Sequence, residues 1–357
     1  MKKLIALILI LLMCISLFAA CGGNEESPDT TKPADAPAPA DTSESAEEPA
    51  KAPADTITFR FAHNNTEDSS IGQAALKFKE LVEEKSSGTL IIEVYPNAQL
   101  GDEDTLLESI AVGMVDFAAL STGMMAKVVP DFQVFTLPYA FTSIEEMHEL
   151  TDGELGSALV DLSAESGIKV FHTFWTDGER YYFNNVRPVY TPADLVGLQL
   201  RVPDQPAYIL PTQLLGATPV AMAFSETYLA CSSGMIDGLE TIAAQAVTSN
   251  FNEVCKYMCL DGHIMNPSVM TMNLAKFDSL NPEQQAIIEE AAVETGLFQR
   301  EVAANLAAEA IGLLEDRGMI ITEVDKAAFM EAVAPAFDEL AATIDPDLVA
   351  MVTDGRK

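Results

Sequence analysis

Basic side chains are scarce in this chain: 20 lysines and arginines stand against 54 acids over 357 residues, a formal charge of −34. A surface with that field repels polyanions, so nucleic acid is excluded as a partner. Cysteine is sparse too. Cys14 and Cys21 lie near the N-terminus, and Cys231, Cys255 and Cys259 are odd in number and lack the spacing of a disulfide framework, which points to buried free thiols. Signatures of catalysis are also missing. There is no G-x-S-x-G elbow, no H-E-x-x-H pair and no nucleotide-binding loop. The adjacent acids Asp102 and Glu103 suit a helix N-terminus better than a hydrolytic pair. Neither an enzyme nor a cofactor is expected. Cys255, Cys259 and His263 sit four apart, as on one helix face, but Gly262 interrupts that helix and no fourth ligand is at hand, so packing rather than a metal site is expected.

Against this acidic background the arginines stand out. There are only seven, and three of them, Arg180, Arg187 and Arg201, fall between Gly178 and Pro203. A guanidinium matches a carboxylate with two parallel hydrogen bonds and keeps its charge when partly desolvated. The plain alternative is surface ion pairing.

At the N-terminus, Lys2 and Lys3 precede an uncharged apolar run from Leu4 to Ala20. This is the pattern of a signal peptide, 1–20. Its Phe18-Ala19-Ala20-Cys21 ending resembles a bacterial lipobox, so Cys21 is the expected lipidation site, and Cys14 is disfavoured by the bulky Met13 before it. Residues 22–55 hold six prolines, nine acids and no aromatic or large aliphatic side chain. Such a segment cannot bury a core, and residues 21–55 read as a disordered tether from a lipid-anchored N-terminus.

About 300 residues remain, enough for two lobes of ordinary domain size. No repeating period is evident. Strand and helix patterns alternate: strands at Ile57–Ala62, Leu90–Tyr95 and Val115–Leu120 enclose helices at Ile71–Lys85 and Asp102–Val112. A second set has strands at Ile168–Trp175, Arg180–Asn185, Leu198–Val202 and Thr218–Met222, a helical turn at Pro192–Leu195, and helices at Gln205–Leu215 and Ser225–Cys231. Asn281, Pro282 and Gln284 cap a helix that Gly318 stops. At 1.5 Å per residue it would run about 50 Å, a strut across two lobes.

Open α/β sheets bind ligands beyond the carboxyl ends of their strands. That rule selects His63, Asn64 and Asn65, the segment Leu100–Glu103, Ser121 and Thr122, and Trp175–Glu179, with Arg180 and Arg201 able to aim inward from strands. Together they suit a carboxylate pocket. Trp175 is either a cleft wall or a core residue, and Arg187 reads as structural, holding the crossover between lobes.

The chain resembles the extracytoplasmic solute receptors of tripartite ATP-independent periplasmic (TRAP) transporters, the DctP family. The likeness rests on FRFAHNN, YPNAQLGDE, GMVDFA, FTLPYAF, GERYYFNNVRP, TPADLVGLQLRVP, GATPVAMAFSETYLA and IDGLET. It implies a two-lobed, type II periplasmic-binding-protein-like α/β fold with a long helix bridging the lobes. Lobe I would comprise 56–178 plus 267–306, and lobe II 179–266 plus 307–357, with hinges near Thr176–Glu179 and His263–Pro267. It implies that Arg201 grips a ligand carboxylate and Arg180 assists, with further contacts at Asn64, Glu103, Phe224, Glu240 and Thr241. Ser121 and Thr241 depart from residues common in sialate-binding members, which disfavours sialate. The implied ligand is a small organic acid anion, either a C4-dicarboxylate or a sugar acid such as a uronate. The implied partner is a membrane permease driven by an ion gradient. The setting is extracytoplasmic, at a Gram-positive surface or in a periplasm. A ligand-sensing lipoprotein and a surface adhesin are the alternatives.

Overall fold

The computed structural model describes residues 56–353, without the side chains at 177 and 266. The expected signal peptide, Cys21 and the tether to residue 55 lie outside the described residues. Strand β1 (Ile57–Ala62) buries Phe59 and Phe61 and exposes Arg60 between them. Helix α1 (Ser70–Lys85) starts where the Ser69 hydroxyl accepts the Gly72 N–H. Strand β2 (Leu90–Tyr95), helix α2 (Glu103–Ala111, capped by Asp102) and strand β3 (Phe117–Ser121) follow, all within two residues of the bounds read from sequence. β1 pairs in parallel with β2 on one side and β3 on the other.

The next stretch carried no sequence assignment. It holds helix α3 (Thr122–Met125), a 3-10 segment at Pro130–Thr136, and helices α4 (Ile144–Asp152) and α5 (Glu154–Glu165). The strand expected over Ile168–Trp175 is broken in two: β4 (Ile168–Val170) ends early, and β5 (Trp175–Asn184) starts at the tryptophan.

A second parallel unit follows, made of β6 (Gln199–Val202), α6 (Pro206–Leu214), β7 (Thr218–Ala221), α7 (Phe224–Ser232) and β8 (Gly238–Ile242), with β6 between β7 and β8. Helix α8 (Ala243–Thr248) leads to β9 (Tyr257–Asn273), a 17-residue strand. Its second half pairs with β3 and β4, its first residues pair with β10 (Ile320–Thr322), and β5 runs antiparallel beside it. The sheet order is therefore β2-β1-β3-β9-β5-β8-β6-β7. Two crossing strands join the two parallel units, and the molecule is a two-lobed α/β fold. The β5–β9 register shifts between Thr176 and Glu179 and again between Arg180 and Tyr182, so the crossing is irregular at its middle.

After α9 (Leu274–Asp278) comes α10 (Pro282–Asp316), 35 residues long and about 52 Å at helical rise, opened by the Asn281–Gln284 capping box. It spans both lobes. In its first half Glu294 pairs with Lys85 of α1 at 2.9 Å, and just past its end Arg317 donates to the Val247 carbonyl of α8 at 3.0 Å. Midway, the Gln299 amide bonds both the N–H and the C=O of Thr176 in β5. A side chain at Gly296 would meet Thr173 Cγ2 at 2.4 Å, so the helix lies against the crossing only because that residue is glycine.

Helices α11 (Lys326–Ala341) and α12 (Pro346–Thr353) close the fold. Leu340, Ile344, Leu348 and Val352 share a core with Phe132, Phe135 and Leu155. The same core takes in Val202, Ala207 and Tyr208 of the second parallel unit. Apolar burial holds the C-terminal helices against the 3-10 segment, reinforced where the Asp345 N–H donates to the Asp131 carboxylate at 2.8 Å.

Candidate ligand-binding cleft

A cavity of about 300 Å³ lies beyond the carboxyl ends of both sets of parallel strands. Lobe I contributes Asn64 and Asn65 after β1, Asp102 to Asp104 at the start of α2, and Ser121 at the end of β3; lobe II contributes Arg201, the turn Pro203–Gln205, Tyr208, Ala221–Phe224, Ile242 and Gln245. Arg180 and Ser268 enter from the crossing strands.

The two arginines are in different electrostatic states. Arg180 holds the buried Glu240 carboxylate through Nε (2.5 Å) and Nη2 (2.7 Å) and lies over the Tyr208 ring. Behind Glu240, His263 Nε2 stands at 3.5 Å, and His263 Nδ1 meets Asp261 Oδ2 at 2.6 Å. Arg180, Glu240, His263 and Asp261 thus form a row of alternating charge, and Tyr182 stacks on the imidazole at 4.4 Å. Burial opposes charge on both central members but loses to the neighbours. Arg180 and His263 hold Glu240 down to about 2, and Asp261 and Glu240 hold His263 up to about 9.

Arg201 has no such partner. It is 5% exposed, its Nε donates to the Met222 carbonyl at 3.0 Å, its guanidinium lies over Phe224, and among the described residues no carboxylate pairs with it. Burial draws it down to about 10, still far above neutral pH, so it keeps its charge. A buried cation without a counterion is costly unless something arrives to match it.

The facing wall belongs to lobe I. Glu103 accepts from the Ser121 N–H and hydroxyl, both at 2.9 Å, and Asp104 pairs with Lys127. One chain of hydrogen bonds spans the cleft: Thr241 Oγ1 donates to Gln245 Oε1, Gln245 Nε2 donates to Asn65 Oδ1 at 2.8 Å, and Asn65 Nδ2 donates to Asn64 Oδ1 at 2.9 Å.

Of the residues singled out from sequence, Asn64, Glu103, Ser121, Arg180, Arg201 and Phe224 line one cavity. Glu240 and Thr241 are fully buried behind it and reach it through Arg180 and Gln245. Trp175 is corrected: it is fully buried and stacks on Phe61 in the lobe I core, because β5 begins there and turns the indole against β1. Arg187 is also corrected. Its Nε and Nη2 donate to the Asp194 and Val196 carbonyls, tying a turn within lobe II rather than the crossover. Cys255, Cys259 and His263 share no helix, since β9 takes Cys259 and His263; among the described residues no group of three or more His, Cys, Asp or Glu is arranged to hold a metal ion. Gln245 and Tyr208 were missed. Gln245 lies four residues after Thr241, a spacing that a short helix brings together, and Tyr208 follows directly on the Arg201 turn.

The model of bacterial extracellular solute-binding protein family 7 matches residues 61–343. The chain is 32% identical over 304 residues to the C4-dicarboxylate-binding periplasmic protein DctP of Rhodobacter capsulatus, covering 84% of this chain and 91% of that one. It is 30% identical over 276 residues to the 2,3-diketo-L-gulonate-binding periplasmic protein YiaO of Escherichia coli, covering 77% and 84%. Among solved structures it is similar to a TRAP periplasmic solute-binding protein from a Sulfitobacter species with bound β-D-galacturonate (TM-score 0.80, 31% identity, 83% of this chain and 98% of that one). It is likewise similar to the sugar acid binding protein DctPAm of Advenella mimigardefordensis in complex with galactonate (TM-score 0.81, 28% identity, 84% and 97%).

Proposed function

This chain belongs to family 7 of the bacterial extracellular solute-binding proteins, and we propose on that footing that its cleft captures a small organic acid anion for delivery to a TRAP permease. The observation that carries the reading is Arg201, a buried guanidinium with no carboxylate partner among the described residues, facing a cavity between two lobes. The ligand carboxylate takes the place of the missing counterion with two parallel hydrogen bonds. Arg180, fixed by Glu240, keeps Tyr208 and the floor of the site in place and adds positive potential. Asn64, Glu103 and Ser121 meet the rest of the ligand from lobe I, and Phe224 covers it from lobe II. No bond is made or broken, so the protein is a receptor rather than an enzyme.

Capture is a closure of lobe I, 56–178 plus 267–306, on lobe II, 179–266 plus 307–357. The register shifts in β5 and β9 are the flexible points, and α10 is the strut about which the lobes move. A ligand favours the closed form only through contacts it gains there. A carboxylate held by Arg201 while its body touches lobe I satisfies that condition. Lipidation at Cys21 would hold the receptor at the outer face of the cell membrane beside the permease. Among the described residues no helix is long and apolar enough to cross a membrane.

The test is a thermal-shift screen of C4-dicarboxylates, uronates, aldonates, oxo acids and sialate, with Arg201→Ala alongside. A ligand in excess of its dissociation constant raises the melting temperature. One acid class should stabilise the wild type and leave the variant unmoved. A variant that responds equally, or a wild type that responds to no acid, sinks the assignment.

A further inference from the structure

Four positively charged groups and several carboxylates meet in or behind this cleft, and their pairing decides how much negative charge a ligand can bring. Arg180 is matched by Glu240, His263 by Asp261, and Lys127 by Asp104. Arg201 alone lacks a carboxylate partner among the described residues. On the opposite wall stand Asp102 and Glu103, and Asp204 flanks the lobe II turn. The site therefore has room for one negative charge, held against lobe II, while its far wall repels a second.

From this, and resting on the reading of the cleft as an organic-acid receptor, we propose that the protein selects monocarboxylates whose remaining polar groups are hydroxyls, the aldonate and uronate class, and discriminates against dicarboxylates, with Glu103 as the residue that sets the choice. The chemistry of the lobe I wall is that of hydroxyl recognition. An ionised carboxylate only accepts hydrogen bonds, so Glu103 welcomes a hydroxyl donor and rejects a carboxylate. The amides of Asn64, Asn65 and Gln245 both donate and accept, which suits hydroxyls that do both. Glu103 is also held in place: two hydrogen bonds from Ser121 and its position at the first residue of α2 fix its carboxylate against lobe I. A C4-dicarboxylate gripped by Arg201 would send its second carboxylate toward this wall, where no unmatched cation waits among the described residues. Like charges close together in a partly desolvated cleft disfavour binding strongly.

Two pairs of compounds isolate the effect, because each differs only at the terminal carbon. D-Gluconate and D-galactonate end in a hydroxymethyl group; D-glucarate and galactarate carry a second carboxylate there. Calorimetric titration of the full-length chain in detergent, with succinate as a small dicarboxylate and D-glucuronate as a ring-forming monoacid, should show at least one monoacid binding ten-fold or more tighter than every diacid. Glu103→Gln should bring the matching diacid to within about three-fold of the monoacid. A diacid that binds the wild type as tightly as the monoacids, while Arg201→Ala still abolishes binding, overturns the single-charge inference and leaves the receptor reading intact. If none of these acids binds, or Arg201→Ala changes nothing, the receptor reading falls and the inference falls with it. The wild-type comparison decides the matter even if Glu103→Gln fails to fold.

Discussion

The two lobes are built on one scaffold and carry different side chains at equivalent positions. In lobe I, β1 pairs with β3 so that Phe61 faces Phe117 and Ala62 faces Ala118; in lobe II, β6 pairs with β8 so that Leu200 faces Gly238 and Arg201 faces Leu239. The loops before β3 and β8 match in detail. Gly113 and Gly234 both have φ near 70°, Met114 and Met235 are 64% and 65% exposed, and Asp116 and Asp237 each accept an N–H from the adjoining strand, Arg60 at 2.7 Å and Gln199 at 2.8 Å. With the frames aligned, Ala62 of lobe I stands where lobe II has Arg201, and Ala119 stands where lobe II has Glu240. Both alanines are buried in the apolar interior. The same backbone thus carries a small apolar residue on one side and an ion on the other. The lesson is a division of labour: lobe II holds the buried ions of the strand ends, and lobe I faces them with groups that form hydrogen bonds.

The sharpest way to break this asymmetry is to remove its unmatched member. Arg201→Ala should weaken binding of an acid ligand such as D-glucuronate by on the order of 10³-fold, about 4 kcal/mol, in a calorimetric titration. The ligand-free variant should melt no lower than the wild type, because an uncompensated buried cation has gone. Glu240→Gln should do the reverse. It strands Arg180 and His263 without their shared carboxylate and should cost about 3 kcal/mol of stability in a denaturant titration.

The histidines of the two lobes offer a finer contrast. His63 follows β1, and burial, only partly offset by a backbone contact at Asn65, holds it down near 4. His263 is held up near 9. The raised value means that His263 contributes stability that is complete below its unfolded value of about 6.5 and is lost as pH rises through about 9. For His63 the unfolded chain binds the proton more readily, so stability falls as pH drops from about 6.5 through about 4. Melting temperature should therefore peak near pH 6.5, with each limb on the order of 3 kcal/mol. His263→Gln should flatten the alkaline limb and His63→Gln the acid one; an unchanged alkaline limb in His263→Gln would contradict the charged row. Smaller still is the bond across the cleft. Gln245→Ala should weaken ligand binding about five-fold, near 1 kcal/mol, by loosening the contact with Asn65.

Much of this was legible beforehand, and the exceptions have physical causes. β1, α1, β2 and α10 follow from periodicity and caps, which are local signals. β9 is not legible that way, because Asp261, Gly262 and Pro267 all speak against a strand. It forms because β3, β4, β5 and β10 pair with it, and Gly262 adopts φ 56° where a side chain would meet the Glu179 carboxylate at 2.7 Å. Arg180 and Arg201 could be picked out as the rare cations of an acidic chain. Their difference could not be seen, because the partner of Arg180 lies 60 residues away on β8. Trp175 could have gone to cleft or core, and Phe61 decides it. The duplicated loops were in plain view as Gly113-Met114-Val115-Asp116 and Gly234-Met235-Ile236-Asp237, but four residues recurring once do not make a period, and only the matching registers show their equivalence.

The most direct test is a crystal structure of the protein with D-glucuronate. The carboxylate should make a two-bond contact with the Arg201 guanidinium, with Arg180 still paired with Glu240 and the sugar hydroxyls against Asn64 and Glu103. A carboxylate seated on the lobe I wall, or an Arg201 that keeps only its bond to Met222 while the ligand binds elsewhere, would contradict it.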